Sequence, residues 1–213
     1  MKEELKALFI GMKRQDAIDL VKEELESGTD PITILEACRE SMEEIGKKFE
    51  TGEFFLSELI YSAEVFKAVS AILEPSLTSK RHEQDSEAIV VFGTPRGDVH
   101  DLGKNIVITM MRAQGFTVHD LGIDVPSEMF VDKLKETGSN ILCLSALITP
   151  AFATMKETIS LLSEKGLRKD TFVIIGGGVT TEFARKEIGA DAQSLDPTEA
   201  IKLCKQYMQD KSL

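Results

Sequence analysis

The sequence predicts an α/β protein in two parts: an amino-terminal four-helix bundle, then a doubly wound, five-stranded parallel sheet. Three observations carry this. Residues 1–74 show only helical periodicity, whereas from Ala88 short apolar strands alternate five times with helices. Between them, residues 75–86 form a polar, aperiodic stretch that reads as a linker. The expected division is therefore a bundle at 1–74, the linker at 75–86 and the sheet domain at 87–213.

In the first part, Leu5, Leu8 and Phe9 mark a short helix broken near Gly11. Ala17, Ile18, Val21 and Leu25 mark a second, closed by Ser27 and Gly28. Asp30 and Pro31 read as an N-cap and the first helical position of a third, whose apolar face runs from Ile34 to Phe49. Thr51 and Gly52 interrupt it, and a fourth helix is expected from Phe54 to Leu73, stopping at Pro75. Four amphipathic helices with short connections pack as a bundle.

In the second part, strands are expected at 88–92, 116–119, 140–144, 171–175 and 191–193. Helices are expected near 103–114, 126–137, 151–165, 180–187 and 197–209, with Pro126 and Pro197 in first turns. This alternation is that of the Rossmann or flavodoxin-like class, whose ligands bind at the carboxyl ends of the strands.

Charge and composition exclude some functions. The formal net charge is −11, which disfavours nucleic acid and anionic membrane, because both reward a basic face. The acidity concentrates before residue 86, where net −8 falls, against −3 in the remainder. That is the pattern of solvated helix faces. Cys38, Cys143 and Cys204 lack zinc-type spacing and fit buried thiols in a reducing compartment. With no signal-like segment and no apolar run of membrane length, the expected location is the cytoplasm.

Three loops at the predicted carboxyl edge bear chemistry. The first, after strand one, carries Asp98, His100 and Gly103, spaced Asp-x-His-x-x-Gly. A histidine with a carboxylate two residues earlier suits a metal ligand whose other ring nitrogen is held by the acid. By itself the pattern more often describes a turn aspartate beside a solvated histidine. The second loop carries Ser145, Leu147 and Thr149, and the third carries Gly176, Gly177 and Gly178, where bare backbone permits close approach of a ligand. His119, at a strand end, and His82, in the linker, read as ordinary side chains.

Taken together, Asp98-x-His100-x-x-Gly103, Ser145-x-Leu147 and Gly176-Gly177 resemble the cobalamin-binding domain family. The segment GEFFLSEL at 52–59, with Glu74-Pro75, resembles the helical cap module that precedes that domain. The likeness covers nearly the whole chain and is greatest to small corrinoid proteins of methyltransferase systems; cobalamin-dependent methionine synthase has a similar pair of modules. The chain departs from the usual pattern at Ser57, at Pro150-Ala151-Phe152, at Gly178 and after Asp191.

The resemblance implies a corrinoid methyl carrier, alternating between methylcobalamin and cob(I)alamin. His100 would bind cobalt in place of the cofactor's own base, Asp98 would hold its other nitrogen, and Ser145 would bond to Asp98. Gly97, Val99, Asp101, Gly103, Leu147, Thr149 and Gly176 to Gly178 would line the corrin and its nucleotide tail. Phe54, Phe55 and Leu56 would either contact the corrin from the cap or belong to the bundle core. The implied partners are a substrate:corrinoid methyltransferase, a methylcorrinoid:acceptor methyltransferase and a reductive activation protein. Three alternatives share some of these features. An adenosylcobalamin mutase small subunit needs no helical cap. A cobalamin-dependent sensor or regulator needs a DNA-binding module and a cap tryptophan, and this chain has no tryptophan. A flavodoxin-like binding or signalling domain needs none of the three loop motifs.

Overall fold

The computed structural model describes residues 1–78 and 88–211. The greater part of the expected linker, including His82, lies outside the described residues. The chain divides into two compact units, Met1–Asp85 and Ser86–Leu213.

The first unit is built from α1 (Lys2–Ile10), α2 (Arg14–Glu26), α3 (Pro31–Glu50) and α4 (Leu56–Thr78). Its core gathers the apolar stripes of all four, among them Leu5, Phe9, Val21, Ile34, Ile45 and Val69, each at most 1% exposed. Asp30 caps α3 by accepting from the Ile32 amide, and Pro31 opens the helix, where its missing donor would have been unpaired anyway. At α4 the expectation needs correction at both ends. The helix begins at Leu56, after the Phe55 amide donates to the Glu58 carboxylate at 3.0 Å. It then continues through Pro75 to Thr78 rather than stopping there. The ring holds φ near the helical value and removes one donor only, so a final turn can still form around it. No described helix is long and apolar enough to cross a membrane.

The second unit is a five-stranded parallel sheet in the order β2-β1-β3-β4-β5. Its strands are β1 (Ile89–Gly93), β2 (Thr117–Asp120), β3 (Ile141–Ser145), β4 (Phe172–Gly176) and β5 (Ala192–Ser194). Each lies one residue later than its apolar run. The reason is visible at the carboxyl ends, where Gly93 pairs with Leu144, Ser145 with Gly176 and Gly176 with Ser194. Ladder hydrogen bonds use backbone alone, so small residues prolong a strand without a hydrophobic signal.

Helices α5 (Leu102–Ala113), α6 (Ser127–Thr137), α7 (Ala151–Glu164), α8 (Glu182–Ile188) and α9 (Pro197–Lys211) cover the sheet. Pro126 caps α6 from outside, whereas Pro197 opens α9 as expected. A short 3₁₀ turn at Arg168–Asp170 precedes β4 without an apolar signal of its own. Helix α5 packs with α9, while α7 packs with α6 and α8. Helices leaving β1 and β3 therefore take opposite faces, which opens a crevice between the carboxyl ends of those two neighbouring strands.

Packing below that crevice is tight. A Cβ on Gly93 would lie 2.7 Å from Cε1 of the fully buried Phe130 ring. We expect Gly93→Ala to destabilise the second unit by about 1–3 kcal/mol, through overpacking. In denaturant unfolding, the double variant with Phe130→Leu should cost less than the two single changes added together, because the smaller side chain relieves the clash.

Candidate functional site

The crevice is spanned by one carboxylate. Asp98 follows β1 and is completely buried. Its Oδ1 accepts from the His100 amide at 2.9 Å and lies 2.7 Å from His100 Nδ1. Its Oδ2 accepts from the backbone amides of Leu147 and Ile148, after β3, at 2.6 and 3.2 Å. Burial pushes the carboxyl pKa up, but these four donors outweigh it and hold Asp98 below its ordinary value. An ionised carboxylate can only accept, so Nδ1 of His100 carries a proton, and in the neutral ring the lone pair is on Nε2.

The His100 side chain is 51% exposed. Among the described residues, nothing hydrogen-bonds to its Nε2. The arrangement offers one oriented imidazole nitrogen at the mouth of a crevice. Among the described residues no group of three or more His, Cys, Asp or Glu is gathered as a metal site. A metal meeting His100 must bring its remaining ligands with it.

The neighbouring residues are of two kinds. Val99, Leu102 and Leu147 are large apolar side chains 63%, 65% and 48% exposed, at the loops beside His100. Gly97 and Gly103 have nothing within 4 Å of where a Cβ would stand. Gly177 is the reverse: with φ at +99°, a Cβ there would lie 2.1 Å from the Ala146 carbonyl oxygen. Its backbone is pressed against the loop after β3, which only glycine allows. A Cβ on Gly178 would meet the Leu147 side chain at 3.0 Å.

Two matches cover the chain: a B12 binding domain over residues 88–202 and a second B12 binding domain over residues 1–74. The chain belongs to the B12-binding proteins. It is 35% identical to dimethylamine corrinoid protein 1 of Methanosarcina mazei over 98% of this chain and 96% of that one. A crystal structure of a cobalamin-binding protein from Desulfitobacterium hafniense DCB-2 is similar at TM-score 0.73 and 34% identity, covering 97% of this chain and 98% of the other. The methanol:cobalamin methyltransferase complex of Methanosarcina barkeri shares the fold, at TM-score 0.82 and 24% identity over 96% of this chain and 78% of that one.

The residues of this B12-binding chain fit such a cofactor. A corrin would bring four nitrogens to its cobalt, so a single protein donor, here the one presented imidazole of His100, would suffice to hold the metal. The exposed apolar rim suits a broad hydrophobic macrocycle. Open glycine backbone at Gly97 and Gly103 leaves room beside it.

One expected contact is replaced. Among the described residues Ser145 makes no hydrogen bond to Asp98, whose second oxygen is taken by the Leu147 and Ile148 amides instead. Backbone amides two and three residues beyond the strand end reach where the half-buried hydroxyl does not. Asp101 is the residue before α5 and accepts from Asn105 at 3.0 Å, and Thr149 is exposed just before α7. In the first unit, Phe55 and Leu56 are 69% and 51% exposed, so neither is bundle core. Phe54 is half-buried, with Lys48 Nζ 5.6 Å over its ring.

Sequence reasoning missed the supports. Lys104, 2% exposed at its side chain, pairs bidentately with Asp120 at 2.7 and 2.8 Å and so ties the start of α5 to the end of β2. The signal was present: a lone lysine inside the apolar run after Gly103. Thr94, fully buried, donates from its hydroxyl to the His100 carbonyl at 3.0 Å.

Because Asp98 satisfies two amides of another loop, its removal should be felt without any cofactor. We expect Asp98→Ala to destabilise the cofactor-free protein by about 2–5 kcal/mol, since buried donors are left unpaired. Asp98→Asn, which keeps one oxygen acceptor but must place an NH₂ against donors, should lie between the two. Urea titration of the three proteins measures this.

Proposed function

We propose that this protein is the methyl-carrying component of a corrinoid-dependent methyltransferase system, with His100 as the cobalt ligand. The observation that carries the reading is the Asp98–His100 pair: a 2.7 Å bond fixes the ring and leaves Nε2 free. When bound, the corrinoid supplies a cobalt centre that can take up and release a methyl group. The chain's own residues position, tune and shield. Asp98 sets the tautomer and raises the basicity of the imidazole, as carboxylates do behind metal-bound histidines. Val99, Leu102 and Leu147 exclude water from the rim. Gly97, Gly103, Gly176, Gly177 and Gly178, with Ser145, Thr149 and the backbone at Asp101, would receive the nucleotide tail. Exposed Phe55 and Leu56 give the bundle an apolar surface of its own, of the kind that suits a hydrophobic ligand.

The reading implies partners. One methyltransferase would load the methyl group, a second would take it to an acceptor, and a reductive activation protein would rescue over-oxidised cobalt. A reducing, cytoplasmic setting agrees with three free cysteines that are all buried. Burial pushes the Cys38 thiol up to about 12 and raises Cys143 well above its ordinary value, so both stay protonated and unreactive.

The test is spectroscopic. Protein reconstituted with cobalamin and reduced to cobalt(II) should show electron paramagnetic resonance splitting from one protein nitrogen. Labelling histidine with nitrogen-15 should change the splitting, and His100→Ala should abolish it. A splitting indifferent to the label would remove His100 as ligand. Mixing the methylated protein with a thiol- or folate-dependent methyltransferase should then discharge the methyl group.

A further inference from the structure

The loop bearing His100 is also held from the side away from β3, by residues outside the Asp-x-His-x-x-Gly motif. The β2–α6 loop, residues 121–126, runs beside residues 94–98. Thr94 N–H donates to the Gly122 carbonyl at 2.9 Å, Val125 N–H to Thr94 at 3.0 Å, and Arg96 N–H to Val125 at 2.8 Å. Pro95 and Val125 form an isolated parallel bridge there. The contact ends at Asp124. Its backbone N–H donates to the Asp98 carbonyl at 3.0 Å, and its Oδ1 accepts the Gly97 N–H at 2.8 Å. One residue thus pins the peptide groups on either side of the Gly97–Asp98 link.

Asp124 does so from an unusual backbone. Its φ is +54°, and Met12 is the other non-glycine residue with positive φ among the described residues. Aspartate and asparagine tolerate this region better than most side chains. The conformation directs both the amide and the carboxylate of Asp124 at the same neighbour. Gly97 has φ at +93°, so the segment that Asp124 grips is one with wide backbone freedom when ungripped.

We propose that Asp124 is a positioning residue for metal ligation: it acts through Gly97 and Asp98 to hold the His100 imidazole ready before any cofactor arrives. This rests on the reading of His100 as the cobalt ligand. Asp124 touches neither the imidazole nor the crevice between β1 and β3; its influence passes through two backbone hydrogen bonds. Without them, Asp98 keeps its bonds to His100, Leu147 and Ile148 and Arg96 keeps its bond to Val125, but the Gly97 amide loses its acceptor and the Asp98 carbonyl its donor, so the turn between them is held less firmly.

Three variants of the full chain separate the carboxylate from the backbone conformation. Asp124→Asn keeps an oxygen acceptor and tolerates positive φ. Asp124→Gly takes positive φ freely but has no acceptor, and Asp124→Ala loses both. The probe is aquacobinamide, a corrinoid without a nucleotide tail, whose binding leans on the lower ligand; hydroxocobalamin is the comparison. Asp124→Asn should bind aquacobinamide like wild type. Asp124→Gly and Asp124→Ala should each bind it about 10-fold or more weakly, the range seen when supports of metal-bound histidines are removed. In both, the cobalt(II) spectrum of the cobalamin-loaded protein should show a smaller histidine-split fraction, while circular dichroism of the cofactor-free protein is unchanged. Wild-type ligation in Asp124→Gly would overturn the proposal, because the carboxylate would then be dispensable. A wild-type protein that takes up no cobalamin would instead defeat the corrinoid reading, before any variant is compared.

Discussion

The structure of the site depends on the burial of one negative charge. Asp98 is shut away from water, and a buried carboxylate is tolerable only when its lone pairs are filled. It fills them from two loops at once, with the amide and imidazole of His100 on one side and the amides of Leu147 and Ile148 on the other. Solving the electrostatic problem ties the loop after β1 to the loop after β3. It also orients an imidazole with its free nitrogen outward. The fixed orientation of the His100 ring follows from satisfying a buried acid.

That carboxylate works because of where the topology puts it. In the order β2-β1-β3-β4-β5 the helices after β1 and β3 diverge, so the two loops flank a crevice rather than packing against each other. Other groups brace the same edge. The pair of buried Lys104 with the more exposed Asp120 anchors the first turn of α5 beside Gly103. Gly177, pressed on the Ala146 carbonyl, closes the adjoining loop after β4 on that after β3. Of these residues His100, Val99 and Leu147 reach solvent appreciably, while Asp98 and Lys104 do not. Asp98 and Lys104 lie inside while the apolar Val99, Leu102 and Leu147 lie outside, an arrangement that suits a hydrophobic ligand.

The two units contribute differently. In the bundle, the four apolar stripes fill the core, and Phe55 and Leu56 stand out because the turn before α4 turns them to the surface. The sheet unit commits its apolar strands to a closed core and leaves only its carboxyl edge for chemistry. Belonging to the B12-binding family is written in both units, since each matches a B12 binding domain of its own.

Much of this was legible before any coordinates. Period-3.6 apolar stripes and four apolar segments of strand length determine the bundle and most of the parallel sheet, because both patterns report burial directly, while the fifth strand at Ala192–Ser194 carries little apolar signal. Asp98, His100, Gly103 and the Gly176–Gly178 run were legible in combination only, since each alone also describes an ordinary turn at a strand end. Strand ends were displaced by one residue, because Gly93, Ser145 and Gly176 pair through backbone alone. Pro75 misled, because a ring near the end of a helix removes one bond without preventing the next turn. What only the tertiary structure decided is who supports whom. The amides of Leu147 and Ile148, the Lys104–Asp120 pair and the grip of Asp124 on Gly97 join residues 16 to 50 positions apart. Backbone amides are the same at every position, so no residue type announces that it will serve a carboxylate elsewhere in the chain. Such partnerships exist only once the sheet has brought its loops to one edge.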